Sequence, residues 1–334
     1  MVSHIHNRSV RMAEAEKHKA LGNEKYKTKD YPGAIGEWKF ISPVMSMLKI
    51  VITESYTEAI RIDSSNAALY TNRAAAHLML LQYKQVLTSS IDMRVNCVNI
   101  VLKAADDCEA AIKLDSRNAK AYFRKATALK GLGKVDEAIS SISMGLEFEP
   151  SNTTALREKE LIINSREQLV TVRTLLTEKQ YARALVGLDV LIRDLGSGSR
   201  ELNLMKVECL VETNRLEEAL NLSNAIMRSV PAGDVELLQI RAKCLLRMGD
   251  VENAYKHLQQ ALRCDPDNVK VRSEYRRVKE MEGAKERGNT AFTEGRYEDA
   301  LEEWQACINV DPSNKLFVSK IHSNRANALT KLKR

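Results

Sequence analysis

Between Asn118 and Asn152 the apolar positions recur at helical spacing in two runs, with Tyr122, Leu129, Val135 and Ile142 forming the apolar faces. The small residues Ala126, Ala138 and Gly145 stand where two antiparallel helices have to touch. Gly131 and Gly133 break the pattern between the runs, and Pro150, in the sequence EPSN, ends the second. The stretch therefore predicts one helical hairpin. The rest of the chain repeats it, with a period equal to the distance from Asn118 to Asn152. Such a hairpin has an apolar stripe it cannot cover by itself, so the pattern predicts hairpins stacked in an all-α, curved solenoid with a concave groove.

Followed along the chain, the pattern predicts a tail over 1–12, a first module of three repeats over 13–165, a middle module of three over 166–282, and the start of a third module over 283–334. In the first repeat Gly22 and Ala34 hold the register of Ala126 and Ala138, but the expected ending YTEAIRIDSSN arrives late, after a surplus segment near 37–54. In the second repeat the ending AADDCEAAIKLDSRN is late by the same amount, after a surplus segment from Val86 to Lys103. The register places both surplus segments, near 37–54 and 86–103, inside second helices, where they are expected to break helix-to-helix packing. Trp38 and Met45 to Met47 fall in the first of them. Their origin stays open between short introns retained in frame and genuine loops. Gly36-Glu37-Trp38 can be encoded with a splice-donor-like start and Lys103 can end in AG, which suits the first reading.

From Ala138 to Ala184, and again from Ala254 to Ala300, the spacing exceeds one period by a 12-residue surplus. Each surplus is enough for an added, polar-faced capping helix, with module boundaries near Ser165 and Gly283. The middle repeats, anchored on Ala184, Ala219 and Ala254, close at LGSGSR, VPAG and CDPDN. The last module echoes the first repeat in MEGAKERGNTAFTEGRYEDALEEWQACINVDPSN and stops inside the next hairpin, whose apolar face is expected to be exposed or poorly ordered.

Composition changes the picture mainly by exclusion. The cysteines, Cys97, Cys108, Cys209, Cys244, Cys264 and Cys307, show no C-x-x-C spacing, so they read as buried thiols in a reducing compartment. The histidines, His77 and His322 among them, have no ligand spacing, and neither a metal nor a cofactor is expected. No window is long and apolar enough to span a membrane, and MVSHIHNRSVRMAEAEKHK has no continuous apolar core, so the cytoplasm is expected, with the nucleus as a second location. The net charge of +7 comes from 51 basic residues dispersed among 44 acidic ones along amphipathic helices, a poor footprint for nucleic acid. Nothing resembles a phosphate loop or a nucleophile with its base, so no enzyme is expected.

The candidate chemistry lies on the first helices of the first module. Lys19 and Asn23 are one turn apart in repeat one, Asn72 stands in repeat two, and Lys120 and Arg124 are one turn apart in repeat three. Stacked hairpins would bring these five side chains together as three cations and two amides, donors suited to an anion with several oxygens, such as a peptide C-terminus beside an Asp. KALGN, TNRAA and AKAYFRKA resemble the dicarboxylate-clamp motifs of tetratricopeptide co-chaperones. The period, about 34 residues, resembles that of the tetratricopeptide repeat. The resemblance implies that Lys19, Asn23, Asn72, Lys120 and Arg124 grip the Glu-Glu-Val-Asp tails of heat-shock protein 70 and 90 chaperones, with unfolded clients as a further partner class. Lys285, Asn289 and Asn324 match the opening of a second clamp that lacks its closing Lys and Arg.

The order of modules is similar to that of tetratricopeptide-containing DnaJ subfamily C proteins. That family carries a J domain with a His-Pro-Asp motif, and no such tripeptide occurs in this sequence, so the chain as it stands is expected to bind and not to stimulate ATP hydrolysis. Two other readings are open. One is a general scaffold holding an unrelated peptide in a middle groove around Ala219 to Ala254, and the other is an unstable translated fragment.

Overall fold

The computed structural model describes the backbone over residues 53–87, 91–196, 198–228 and 233–332, with side chains described except over 81–97. Among the described residues every regular element is a helix. In chain order these are α1 (53–62), α2 (Ala67–Leu87), α3 (Ile91–Leu114), α4 (Ala119–Gly131), α5 (Val135–Phe148), α6 (Thr153–Thr177), α7 (Tyr181–Leu195) and α8 (Arg200–Glu212). They continue as α9 (Leu216–Met227), α10 (Val235–Arg247), α11 (Val251–Cys264), α12 (Val269–Thr293), α13 (Tyr297–Val310) and α14 (Lys315–Lys331). Within each unit, consecutive helices from α2 to α7 and from α9 to α14 pack on one another. The chain forms two compact units, residues 1–203 and 204–334.

In the first unit the α4–α5 hairpin has the packing its small residues dictate. Ala126 and Ala138 are fully buried, and a methyl group added to Gly145 would stand 2.5 Å from the Phe123 ring. Leu129, Val135 and Ile142 fill the space between the helices. Gly133 turns the chain at φ +76°, a left-handed conformation that costs a residue with a Cβ about 1–2 kcal/mol. The same register is left-handed in the later hairpins as well, at Lys179, Asn214, Gly249 and Gly295.

The second surplus segment does not interrupt a helix, contrary to the expectation from register. Where Gly133 turns the third repeat, the second repeat has Leu81, so α2 runs on to Leu87 and α3 begins at Ile91. The two helices are 21 and 24 residues long, against 13 and 14 for α4 and α5, so their added length accounts for the whole insertion. Packing resumes in register: Val101, Ala104, Cys108 and Ala111 are buried as Val135, Ala138, Ile142 and Gly145 are. A bidentate pair between Arg73 and Asp107, at 2.6 and 2.9 Å, ties α2 to α3, and Arg73 Nη1 also donates to Thr57 Oγ1 of α1 at 3.0 Å. The first surplus segment lies outside the described residues except for its last positions, where α1 has begun.

The 12-residue surpluses also take a different form from the one expected. Instead of a separate capping helix, each lengthens a single helix to 25 residues, α6 and α12. Ser165 is buried within α6 and Gly283 lies within α12, so neither position is a break in the chain path. Both helices begin the same way, with Asn152 Oδ1 accepting from Ala155 N at 3.0 Å and Asn268 Oδ1 from Val271 N at 3.1 Å. Their second halves serve as the first helices of the next hairpins, packed on α7 and α13.

In the second unit the end of α10 receives the start of α14: Asn314 Nδ2 donates to the Leu246 carbonyl at 2.7 Å and Lys320 Nζ to that of Gly249 at 3.1 Å. The apolar residues Phe317, Ile321 and Ala328 of α14 are buried in one core with residues of α12 and α13, which corrects the expectation of an exposed final face.

Candidate peptide-binding site

Helices α2 and α4 are the first helices of consecutive repeats and pack against each other. Asn118 caps α4 through Oδ1, which accepts from Ala121 N at 3.1 Å, while its Nδ2 donates to Thr71 Oγ1 of α2 at 3.2 Å. Thr71 is 4 % exposed, and its hydroxyl donates to the Ala67 carbonyl at 2.8 Å. Its own carbonyl accepts from Arg124 Nη1 at 2.5 Å. The next residue on α2 is Asn72, half-buried.

Lys120 is exposed, one turn before Arg124, and neither is ion-paired among the described residues. Neighbouring cations are already matched, Arg73 with Asp107 and Lys125 with Glu109 at 3.4 Å. Cys108 is fully buried near Arg124. Burial pushes its thiol up to about 12, against the opposing pull of the guanidinium, so it stays neutral and unreactive. The described part of the candidate site thus holds two cations, Lys120 and Arg124, with no carboxylate paired to either among the described residues, beside the Asn72 amide. Lys19 and Asn23 lie outside the described residues.

The second candidate set is arranged differently. Lys285 Nζ pairs with Glu282 at 2.7 Å, and Asn289 Oδ1 accepts from Trp304 Nε1 at 3.3 Å. Asn324 is half-buried on α14. Trp304, 2 % exposed, packs on Gly288 four positions after Ala300. Trp38 and Met45 to Met47, which fall in the first surplus segment, lie outside the described residues.

The cysteines Cys108, Cys209, Cys244 and Cys307 are buried thiols, as expected, whereas Cys264 is exposed. Among the described residues no cluster of His, Cys, Asp and Glu could hold a metal, and no helix is long and apolar enough to cross a membrane.

The tetratricopeptide repeat models match residues 119–152 and 235–268, the α4–α5 and α10–α11 hairpins. The chain is built of tetratricopeptide repeats. It is homologous to the DnaJ homolog subfamily C member 7 homolog of Dictyostelium discoideum, 28 % identical over 282 residues that cover 84 % of this chain and 49 % of that protein. It is likewise homologous to DnaJ homolog subfamily C member 7 of Homo sapiens, 26 % identical over 321 residues, 96 % of this chain and 57 % of the relative. The chain therefore spans about half the length of these relatives. The crystal structure of the P58(IPK) TPR domain has the same fold, with a TM-score of 0.68 at 18 % identity over 95 % of this chain and 79 % of that one. In tetratricopeptide terms, Asn72 lies on the first helix of the second repeat and Lys120 and Arg124 on that of the third. Sequence reasoning did not single out Thr71 or Asn118. Asn118 was visible as a marker of the period, but the use of its second amide hydrogen depends on which residue of α2 comes to lie beside it.

Proposed function

We propose that the chain is a non-enzymatic co-chaperone adaptor whose first module binds the acidic C-terminal tails of heat-shock protein 70 and 90 chaperones, through Lys19, Asn23, Asn72, Lys120 and Arg124. The observation that carries the reading is the pair Lys120 and Arg124 one turn apart on α4, neither with a carboxylate among the described residues, beside the helix that holds Asn72. Carboxylates take charge-assisted hydrogen bonds from such groups, and a site without an acid or a nucleophile binds without transforming its ligand. Homology to DnaJ subfamily C member 7 supports a chaperone partner, and a cytoplasmic location accords with it. Lys285 is engaged by Glu282, which favours the first module over the last as the tail site.

The test is calorimetric titration with a peptide ending in Glu-Glu-Val-Asp, as the free acid and with its C-terminus amidated. The free acid is expected to bind and the amide not to. Arg124→Ala should cost about 2–3 kcal/mol, more than a tenfold loss. Equal affinity for acid and amide, in this chain and in one lacking both surplus segments of the first module, would remove the clamp.

A further inference from the structure

Three of the proposed tail-binding residues sit on two helices, and one buried residue, Thr71, joins those helices at two points. Its hydroxyl accepts from Asn118 Nδ2 at 3.2 Å, at the first residue before α4. Its carbonyl accepts from Arg124 Nη1 at 2.5 Å, nearly two turns further along. Lys120 lies between these attachments, and Asn72 is the residue after Thr71. The hydroxyl is oriented to accept because its own proton is given to the Ala67 carbonyl. With a relative exposure of 4 %, Thr71 is largely shielded from water as an alternative partner.

We propose that Thr71 is a positioning residue of the tail site: with Asn118 it sets the axial register of α4 against α2, and with it the placement of Lys120 and Arg124 relative to Asn72. This deepens the tail-binding reading and rests on it. The physical reason lies in the ligand. A carboxylate held by several donors requires them within a few tenths of an ångström of their binding positions, and a guanidinium on a long side chain is otherwise spread over many rotamers. Anchoring one Nη on a backbone carbonyl restricts Arg124 while leaving its other N–H groups available. The Asn118 bond prevents α4 from sliding along α2, which would shift Lys120 and Arg124 together. Arg73 is excluded from this role by its own geometry, since both of its faces are engaged by Asp107 and Thr57.

The experiment uses the full chain and the free-acid and amidated Glu-Glu-Val-Asp peptides, with Thr71→Val, Thr71→Ser, Asn118→Ser, the Thr71→Val/Asn118→Ser double variant and Arg124→Ala. Asn118→Ser keeps a helix cap while losing the amide donor. Thr71→Val and Asn118→Ser are each expected to weaken free-acid binding by about fivefold, the scale of one hydrogen bond, at unchanged stoichiometry. Because they remove the same bond, the double variant should be weakened little further, and Thr71→Ser should bind as the parent does. Loss of folded protein would instead lower the number of sites per chain. Parental affinity in Thr71→Val alongside loss in Arg124→Ala would overturn the positioning role and leave the tail site standing. A parent that does not distinguish acid from amide would overturn the tail-binding reading and this inference with it.

Discussion

Arg241 is 7 % exposed, and no carboxylate pairs with it among the described residues. Its guanidinium donates to Ser223 Oγ and Asn224 Oδ1 of α9, each at 2.7 Å, and to His257 Nε2 of α11 at 3.0 Å. Accepting that bond requires a neutral imidazole, and burial, reinforced by the Arg241 charge and opposed by Asp250, holds His257 below its ordinary value of 6.5. His77 in the first unit is lowered by burial as well, against the pull of Asp107. A group whose folded pKa is depressed in this way binds fewer protons folded than unfolded, so its contribution is full above the unfolded pKa and is lost as pH falls below it. Stability should therefore decline from about pH 6.5 downward. His257→Gln keeps an acceptor for Arg241 without titrating, and it should reduce the loss of urea midpoint between about pH 7.5 and about pH 5. An identical decline in parent and variant would show that His257 does not carry it.

At the scale of elements, the recurring joint is the left-handed residue that follows the first helix of five hairpins. Gly133, Gly249 and Gly295 fill it without steric cost, but Lys179 does so at φ 58° and Asn214 at φ 60°. Lys179→Gly should therefore raise stability by about 0.5–1 kcal/mol, the left-handed penalty less the added freedom of the unfolded chain. The reverse change separates backbone conformation from contact. Gly295→Ala, with nothing within 4 Å, should cost only the conformational penalty, whereas at Gly249 a methyl group would stand 3.1 Å from Phe317 N and should cost more. Chemical denaturation of both variants reads the difference, and equal losses would mean that the α10–α14 approach is looser than its geometry indicates. The second repeat shows the converse. Without a turn residue at Leu81 the helix continues, and the hairpin lengthens at its far end while its base stays packed.

At the scale of the whole molecule, the net charge of +7 is small beside the 51 basic and 44 acidic residues that produce it, and many of the ion pairs among the described residues are local and exposed. Such pairs contribute little each, so charge acts here on association more than on folding. Of the two candidate sets, the first holds Lys120 and Arg124 without a carboxylate among the described residues, and in the second Lys285 is neutralised by Glu282. One tail peptide per chain is the expected stoichiometry. Its binding should weaken severalfold between about 0.05 and about 0.5 M salt, as screening shortens the reach of Lys120 and Arg124. Two equivalent sites in the titration, or an affinity unchanged by salt, would contradict this division of roles.

The amino-acid sequence by itself determined the repeat, its period and its buried small residues, because Ala126, Ala138 and Gly145 answer to contacts inside one hairpin, within reach of a local pattern. It also determined which residue types stand on the first helices, and hence the candidate cations. Only the tertiary structure decided how surplus residues are used. The second repeat's surplus lengthens α2 and α3, and the shorter surpluses lengthen α6 and α12, because a helix stops where a turn residue or a packing partner stops it. It alone decided that Thr71 and Asn118 meet, that α14 is covered by the end of α10, and that Lys285 is spent on Glu282. Those outcomes depend on the rotation and translation of one helix against another, which are set by the sum of many contacts and are written at no single position in the chain.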